Sequence, residues 1–231
     1  MFDFVRKNFL WDAWDNHLDA ALAKHNAFHL KSIQDLAVFA QLKDLTGRNI
    51  AEIGGGDSRI LRALAKSNSC VNVEKFEGND GGPATQIRIP GVTNVLAYLG
   101  ENSSELRDNS FDAVFSVSVI EHVPDNALAA FFTDGLRILK PGGLWLHAID
   151  LYIEDEVPES TQKRVDTYRG WVRDSRVQPK GEIFAGPVHF TCDMATNPDN
   201  TMYSWGRISP KLIPLRQRAQ SVSIILAATK K

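Results

Sequence analysis

The amino-acid sequence predicts an α/β protein built on a doubly wound, mostly parallel sheet. One observation is the stretch from Asn49 to Glu74, which reads NIAEIGGGDSRILRALAKSNSCVNVE and contains a strand, a glycine turn, a helix and a second strand. Another is Phe111–Val117, an apolar run rich in β-branched and aromatic residues directly after a turn. A third is an apolar helical stripe that ends in Lys-Pro-Gly-Gly before the apolar run Leu144–Ile149. Strands that alternate with helices are typical of parallel sheets.

Length and composition fit one globular domain. The chain has 231 residues, of which 43% are hydrophobic and 23% are charged. Its formal net charge of -2 gives no global electrostatic argument for nucleic-acid binding. Apolar runs stay well short of the ~20 residues of a membrane span, and charges interrupt the N-terminus where a signal peptide needs an apolar core. Because Cys70 and Cys192 lack metal-ligand spacing, we expect two reduced thiols and a cytoplasmic protein.

The glycine turn at 54–56 predicts a nucleotide-type binding site. Glycine lets the backbone come close to a ligand, and Glu74 at the end of the next strand can accept hydrogen bonds from both ribose hydroxyls. Asp57 and Ser58 are suitable caps for the helix that follows. A dinucleotide fingerprint needs a third glycine where this chain has Arg59, so a bound pyrophosphate is disfavoured. An ordinary structural turn is the alternative.

Two motifs resemble those of the class I S-adenosylmethionine (SAM) dependent methyltransferases. The pattern E-x-G-G-G-D from Glu52 to Asp57 resembles motif I of that family, with Ser58 where the family usually carries a further glycine. The segment NSFDAVFSVSVIEHVPD at 109–125 resembles motif IV of the type 11 small-molecule methyltransferases. The resemblance implies a Rossmann-like, doubly wound and mostly parallel seven-stranded sheet, with helices on both faces and a closing antiparallel hairpin. It also implies a SAM-dependent methyltransferase that releases S-adenosylhomocysteine.

The resemblance places the cofactor beyond the carboxyl ends of the strands, where open parallel sheets bind ligands. In the family the glycine turn faces the amino-acid moiety of SAM, and an acid after the third strand receives the adenine amino group. Glu101 occupies that acidic position, one methylene longer than the usual aspartate; a solvated loop acid is the alternative. The residues expected to bind the cofactor are Glu52, Gly54, Gly55, Gly56, Glu74, Glu101, Asn102 and Ser118.

Three residues are candidates for a catalytic role. His122, in the motif IV segment, is a candidate base, or it shapes the pocket without taking a proton. His147 lies in a strand expected to be buried on both faces, so a hydrogen-bonded core histidine is the alternative there. Asp150 sits at the carboxyl end of that strand, on the ligand edge. One aspartate beside one histidine is too little for a metal site, so no metal is predicted.

The remaining chain divides into segments around this core. Residues 1–48 are predicted to form an N-terminal helical cap or lid, 49–150 the SAM-binding core, 151–207 a substrate-side insertion and 208–231 the strands that complete the sheet. Within the core, 75–93 should be an irregular loop, 94–99 the third strand and 124–139 a helix. A basic, aromatic stretch with Tyr168 and Trp171 favours an anionic acceptor or, alternatively, a solvated helix face. His189 is a further candidate base.

The expected reaction follows from the chemistry of a sulfonium methyl donor. Such a donor is already activated, so the protein mainly positions the acceptor in line and excludes water. A hydroxyl acceptor must also lose its proton, for which histidine is suited. We therefore expect O-methylation of a small-molecule or sugar hydroxyl. N-methylation of a small metabolite, a catalytically silent SAM-binding partner protein and another enzyme on the same scaffold stay open. A homo-oligomer also stays open.

Overall fold

The computed structural model describes residues 1–5, 9, 12–13, 15–22, 30–79, 82–153, 158–185 and 220–231. The strands are β1 (Phe2–Phe4), β2 (Asn49–Ile53), β3 (Ser69–Val73), β4 (Val92–Val95), β5 (Phe111–Val117), β6 (Leu139–Ile153), β7 (Val177–Pro179) and β8 (Gln220–Lys230). The helices with described bounds are α1 (Leu30–Leu42), α2 (Arg59–Leu64), α3 (Leu128–Ile138) and α4 (Glu159–Arg173). A 3₁₀ turn, Ile120–His122, follows β5.

The strands form one sheet in the order β1-β8-β6-β5-β2-β3-β4, and β7 pairs with β8. Strands β2 to β6 run parallel to one another, whereas β8 is antiparallel to β6, β1 and β7. The predicted mostly parallel, doubly wound α/β sheet is therefore confirmed, with eight strands in the described ranges instead of seven. Because the parallel strands run the same way, their carboxyl ends meet at one edge of the sheet.

Apolar side chains cover both faces of the sheet, as a doubly wound fold requires. On one face α3 and α4 pack together over β5 and β6, and the rings of Phe132 and Trp171 stack at 5.1 Å. On the other face α1 and α2 bury a second cluster that includes Leu36, Leu61 and Phe115. Helices on both faces were predicted and are confirmed.

The unit from β2 to β3 folds as its sequence pattern predicts. The Ser58 hydroxyl caps α2 by accepting a hydrogen bond from the Leu61 backbone N–H at 2.9 Å. Ile60, Leu61 and Leu64 are buried on the predicted stripe. The described residues between β3 and β4 contain no α-helix, which agrees with the irregular loop expected there.

Three elements differ from the sequence-based expectation. The third strand of the core is Val92–Val95, not 94–99, because it forms the sheet edge and tolerates the polar Thr93 and Asn94, whereas Leu96 is 55% exposed beyond its end. The helix expected at 124–139 begins only at Leu128. The Lys-Pro-Gly-Gly segment lies within β6, where the pairing with β5 shifts register between Phe111 and Ala113.

The N-terminal segment also differs at its start. Phe2–Phe4 was included in the helical segment 1–48 but pairs antiparallel with 224–226 of β8. Phe2 is fully buried, and the Arg169 guanidinium lies 5.5 Å from its ring centre. Aromatic residues favour strands as well as buried helices, which explains the mistaken assignment. The lid role of 1–48 stays a prediction.

Several sequence-based assignments fall outside the described residues. These are Cys192, the candidate base His189 and parts of the predicted segments 1–48, 151–207 and 208–231. Among the described residues, no helix is both long enough and apolar enough to cross a bilayer.

Candidate functional site

The glycine turn and Glu74 lie side by side at the carboxyl edge of the sheet. β2 and β3 pair in parallel with Ile53 opposite Val73, and the Gly54 N–H donates to the Val73 carbonyl at 2.9 Å. Glu74 follows Val73 directly, so its carboxylate starts from the strand next to the turn. The order of the two strands thus brings together the two features on which the nucleotide-type site depends.

The glycine turn leaves no room for side chains at two of its positions. A Cβ atom on Gly54 would lie 2.7 Å from a methyl group of Val119, and one on Gly55 would lie 2.8 Å from Asn72 Oδ1. Gly54 also has a φ of +65° and Gly56 a φ of +52°, which L side chains rarely adopt. These are the properties of a turn whose backbone packs closely against its neighbours.

Asn72 on β3 fixes this turn, a role that was not foreseen from the sequence. Its side-chain oxygen accepts from the Gly55 N–H at 3.1 Å, and its amide donates to the Gly56 carbonyl at 3.3 Å. Asn72 is fully buried. A polar residue in the middle of the otherwise apolar SCVNV strand was the signal that could have revealed it, because a buried amide must find partners.

Glu52, the acid of motif I, is buried beneath the turn. Only 4% of the residue is exposed, and its Oε2 has no hydrogen-bond partner among the described residues. Burial raises the pKa of Glu52 to about 8, although a hydrogen bond with Ser58 works in the opposite direction. An unpaired buried carboxyl oxygen of this kind fits a donor group that a ligand supplies.

The residues expected on the adenosine side lie near one another. Glu74 is half-buried, and its Oε1 accepts from the Phe76 N–H at 3.2 Å. Glu101 is 54% exposed and pairs with Lys75 at 3.3 Å, while the Lys75 ammonium lies 4.4 Å from the ring centre of Tyr98. Lys75 therefore links the segment after β3 to the segment after β4. Its role was not foreseen, because nothing in the local sequence relates it to Glu101.

Asn102 lies in a loop that α3 holds in place. Asn102 has a φ of +51°, and the carboxylate of the buried Asp134 accepts hydrogen bonds from the N–H groups of Gly100 at 2.6 Å and Asn102 at 3.3 Å. Arg137 in turn donates to Asp134 at 2.7 Å. Through Asp134, α3 thereby fixes the backbone on both sides of Glu101.

Ser118 and Asp150 meet at the ends of β5 and β6, together with Gln34 of α1. The Gln34 amide donates to Asp150 Oδ1 and, at 2.9 Å, to the Ser223 hydroxyl. The Ser118 hydroxyl lies 2.9 Å from Gln34 Oε1 and 3.3 Å from Asp150 Oδ1. Gln34 is fully buried, and a polar residue on the apolar face of a predicted helix was the missed signal. These contacts anchor α1 over the carboxyl edge of the sheet.

A second carboxyl group, Glu121, lies close to Asp150. Burial raises the pKa of Glu121 well above its usual range, and the negative charge of Asp150 adds to the effect. Burial also raises the pKa of Asp150, against hydrogen bonds from Gln34 and Ser118 and the charge of Lys31. The sequence predicts the Glu121–His122 pair near the cofactor, but only His122 was given a role, because histidine has the more familiar chemistry of a base.

The two histidines occupy different surroundings. His122 is 47% exposed, and its Nε2 lies 4.0 Å from Glu121 Oε1. His147 is fully buried, shares a hydrogen bond with the Ser116 hydroxyl at 2.7 Å and lies 3.9 Å from the Trp145 ring between their centres. Burial lowers the pKa of His147 to about 3, so the ring is neutral at physiological pH. The site thus brings together His122 and Asp150, whereas His147 lies in the core.

Arg164 of α4 fixes the turn that carries Glu121 and His122. Its guanidinium donates to the Ile120 carbonyl at 3.0 Å, to the Val123 carbonyl at 2.8 Å and to the Asp125 carboxylate at 2.7 Å. The basic and aromatic stretch in the predicted insertion therefore contains an arginine with a positioning role on the core. From the sequence, its cations were expected to face an anionic acceptor or solvent.

Comparison with known proteins shows which proteins this fold and site resemble. Residues 51–146 match the family model of a methyltransferase domain. The matched range begins in β2 and ends in β6, so it includes the glycine turn, Glu74, Ser118 and Glu121. The predicted resemblance to the class I SAM-dependent methyltransferases of the type 11 group is thereby confirmed.

Individual relatives share part of their length with this chain. This chain is 30% identical over 132 residues to the ubiquinone biosynthesis O-methyltransferase of Rhizobium etli. The aligned region covers 53% of this chain and 52% of that protein. This chain is also 34% identical over 101 residues to the 2-methyl-6-phytyl-1,4-hydroquinone methyltransferase of Synechocystis, covering 42% of this chain and 30% of that one. The chain thus spans about half, or less, of the length of these curated relatives.

Solved structures show the same fold at low sequence identity. Geranyl diphosphate C-methyltransferase from Streptomyces coelicolor, solved with Mg²⁺, geranyl diphosphate and S-adenosyl-L-homocysteine, has a TM-score of 0.57 at 15% identity and covers 87% of this chain and 77% of that one. Phosphoethanolamine N-methyltransferase 2 from Haemonchus contortus has a TM-score of 0.53 at 17% identity, covering 85% of this chain and 52% of that one. At these identities the likeness concerns the fold.

Proposed function

We propose that this chain is a SAM-dependent methyltransferase that transfers a methyl group to a hydroxyl of a small-molecule or sugar acceptor. The observation that supports it most directly is the glycine turn, closed to side chains at Gly54 and Gly55, beside Glu74 on the neighbouring strand. The family match over 51–146 covers this same part. Of the relatives, the Rhizobium protein is named as an O-methyltransferase, which supports a hydroxyl acceptor.

The residues around the turn fit SAM in chemical terms. Glu74 offers carboxylate oxygens to the ribose hydroxyls, and Glu52 offers an unpaired oxygen to the amino group of the methionine moiety. Gly54, Gly55 and Gly56 offer backbone groups, while Glu101 and Asn102 form the adenine side and Ser118 the side next to Asp150. When bound, SAM supplies an activated methyl group on a sulfonium ion.

Asp150 is the group proposed to receive the acceptor's proton. Gln34 and Ser118 both contact its Oδ1, so the orientation of the carboxylate is fixed, and its raised pKa makes it a stronger base than an exposed aspartate. His122, half-exposed on the turn next to Glu121, passes the proton on to solvent. We assign His147 no step, because it is buried in the core and its hydrogen bond to Ser116 occupies Nδ1.

Binding and turnover measurements test this proposal together. Isothermal titration calorimetry with SAM and with S-adenosylhomocysteine should show one site per chain, and Gly55→Val should abolish it because the added side chain overlaps Asn72 and Glu52. Methyl-labelled SAM offered with a panel of phenols, sugars and amines, followed by mass spectrometry, identifies the methylated atom. If only amines are labelled, the proposed O-methylation is wrong and the activity is N-methylation. If SAM binds but no acceptor is methylated, the chain is better described as a catalytically silent SAM-binding protein. An NADH response without any SAM response would contradict the whole proposal.

A further inference from the structure

The carboxyl group of Glu121 is buried without a side-chain hydrogen-bond partner. Neither of its oxygens has a side-chain partner or a well-aligned hydrogen bond among the described residues, and both have almost no accessible surface. The backbone N–H groups of Glu121 and Asp150 are the nearest donors, and they lower the pKa of Glu121 against the effect of burial. The His122 Nε2 atom lies 4.0 Å from Glu121 Oε1, which is too far for a hydrogen bond. Buried polar groups in native proteins are nearly always paired, so a group left without a partner indicates a ligand that completes it.

Charged and titratable groups from four elements surround Glu121. They are Asp150 at the end of β6, Lys31 on α1, His122 on the same turn and Tyr168 on α4. The Lys31 ammonium is directed in part to the Val117 carbonyl, to which it donates at 3.2 Å. Arg164 of α4 also contacts this turn, but its guanidinium is engaged by the Asp125 carboxylate and the Ile120 and Val123 carbonyls, so Lys31 is the cation that acts on both carboxyl groups. The cluster has a negative excess when both carboxyl groups are ionised, which favours a positively charged ligand.

The position of the pair relative to the glycine turn follows from the segment 117–121. The side chain of Val119 packs against Gly54, where an added Cβ would lie 2.7 Å from its methyl group. One residue earlier, the Ser118 hydroxyl lies 3.3 Å from Asp150 Oδ1. Two residues later comes Glu121. The segment that contacts the proposed cofactor turn therefore also carries one carboxyl group of the pair and contacts the other.

We propose that Glu121 and Asp150 form an acidic seat for the positive charge of the methyl donor, through which the protein prefers SAM to S-adenosylhomocysteine. This inference rests on the proposed function and adds to it a residue and a selectivity. SAM carries a sulfonium charge, whereas its product is a neutral thioether of nearly the same shape. A seat that recognises the charge stabilises the donor and not the product, so the product leaves once the charge has gone.

The test compares the affinities of the two ligands for matched variants. Calorimetry gives Kd values of SAM and S-adenosylhomocysteine for the wild type, for Glu121→Gln, and for Glu105→Gln as a control that removes an exposed carboxylate outside the cluster. We expect Glu121→Gln to weaken SAM by about tenfold, the scale of one lost charge interaction. The affinity for S-adenosylhomocysteine should change by less than about twofold, and Glu105→Gln should alter neither ligand.

The outcomes separate this inference from the function on which it rests. Equal losses for both ligands, or no loss for either, in a variant that still binds would overturn the acidic seat and leave the methyltransferase proposal intact. Absence of SAM binding by the wild type would overturn both. The fold of Glu121→Gln is checked by its thermal midpoint, and Asp150→Asn provides a second variant with the same expected selectivity change.

A measurement on the wild type alone keeps the inference testable if both variants fail to fold. Because the carboxyl groups of the pair have raised pKa values, a cation that binds there should displace a proton. Calorimetry in buffers of different ionisation enthalpy should therefore detect more proton release on SAM binding than on binding of S-adenosylhomocysteine. Equal proton release for the two ligands would overturn the inference.

Discussion

The side-chain oxygen of Asn72 accepts a hydrogen bond from the backbone N–H of Gly55 at 3.1 Å. The same side chain donates to the Gly56 carbonyl at 3.3 Å, so one buried amide on β3 satisfies both a donor and an acceptor of the glycine turn. The conformation of the turn therefore depends on a strand that comes 16 residues later in the chain. The close fit between the turn and this strand explains why Gly55 has no space for a Cβ atom.

Replacing Asn72 by alanine should destabilise the fold and weaken cofactor binding together. The change leaves the Gly55 N–H and the Gly56 carbonyl without their partner, which costs about 1–3 kcal/mol for buried groups. Urea denaturation measures the loss of unfolding free energy, and calorimetry measures the weaker SAM affinity. The exposed Asn126, replaced by alanine, is the control. A variant as stable as the wild type would show that the amide does not hold the turn.

Replacing Glu74 by alanine should weaken SAM by about 1–3 kcal/mol, the scale of a lost charge-assisted hydrogen bond. Fold stability should change little, because Glu74 is only half-buried and its hydrogen bond with the Phe76 N–H spans just two residues. Calorimetric Kd values for SAM check the first expectation and thermal midpoints the second. Glu105→Ala, at an exposed position, should match the wild type in both. An unchanged SAM affinity would place the ribose elsewhere.

The stability of the ligand-free protein should depend on pH through Glu52. Burial raises the pKa of Glu52 to about 8 in the folded state, whereas its ordinary value is 4.5. Between pH 4.5 and pH 8 the folded state therefore keeps a proton that the unfolded state has lost. Unfolding free energy should therefore fall as pH rises from 4.5 to 8, at most by about 1.4 kcal/mol per pH unit.

Glu52→Gln isolates this contribution, because glutamine keeps the shape and does not titrate. The difference in unfolding free energy between variant and wild type, from urea curves at several pH values, should increase in favour of the variant as pH rises towards 8. Parallel pH profiles would mean that Glu52 is ionised in the folded state as easily as in the unfolded chain.

Arg164 should affect turnover more than cofactor binding. It donates to the carbonyls of Ile120 and Val123, at 3.0 and 2.8 Å, and so fixes the turn that carries Glu121 and His122 without contacting the glycine turn. Arg164→Met should lower kcat by about tenfold or more through misplacement of this turn. The calorimetric Kd of SAM should shift less than kcat does. Lys163→Met, at the neighbouring exposed position, is the control, and equal effects of both variants would contradict the positioning role.

The parts of the fold that the sequence predicted are those whose signals are local. The β2–α2 unit is an example, since the apolar residues Ile50, Ala51 and Ile53, the glycines and the Ser58 cap all lie within a few residues of the structure that they determine. The position of Glu74 beside the turn also followed, because parallel neighbours must end at the same edge.

The parts that escaped prediction depend on contacts between distant segments. Phe2 pairs with Leu226, at the far end of the sequence, which no local pattern reveals. Asp150 was a candidate from the sequence, but no local pattern relates it to Gln34 and Ser223, to which it is joined in the structure. Glu121 was expected near the cofactor, and it received a role of its own only when its burial was visible in three dimensions.

The interior position of β8 has a consequence for synthesis and folding. This strand lies between β6 and β1, so its pairing with β6 is complete only after its last residues have left the ribosome. Until then β6 is an edge strand, and its unpaired backbone N–H and C=O groups can pair with a strand of another nascent chain. Because β8 pairs with β6 only at the end of synthesis, we expect the yield of native protein to depend on chaperones. A chain truncated before β8 should aggregate.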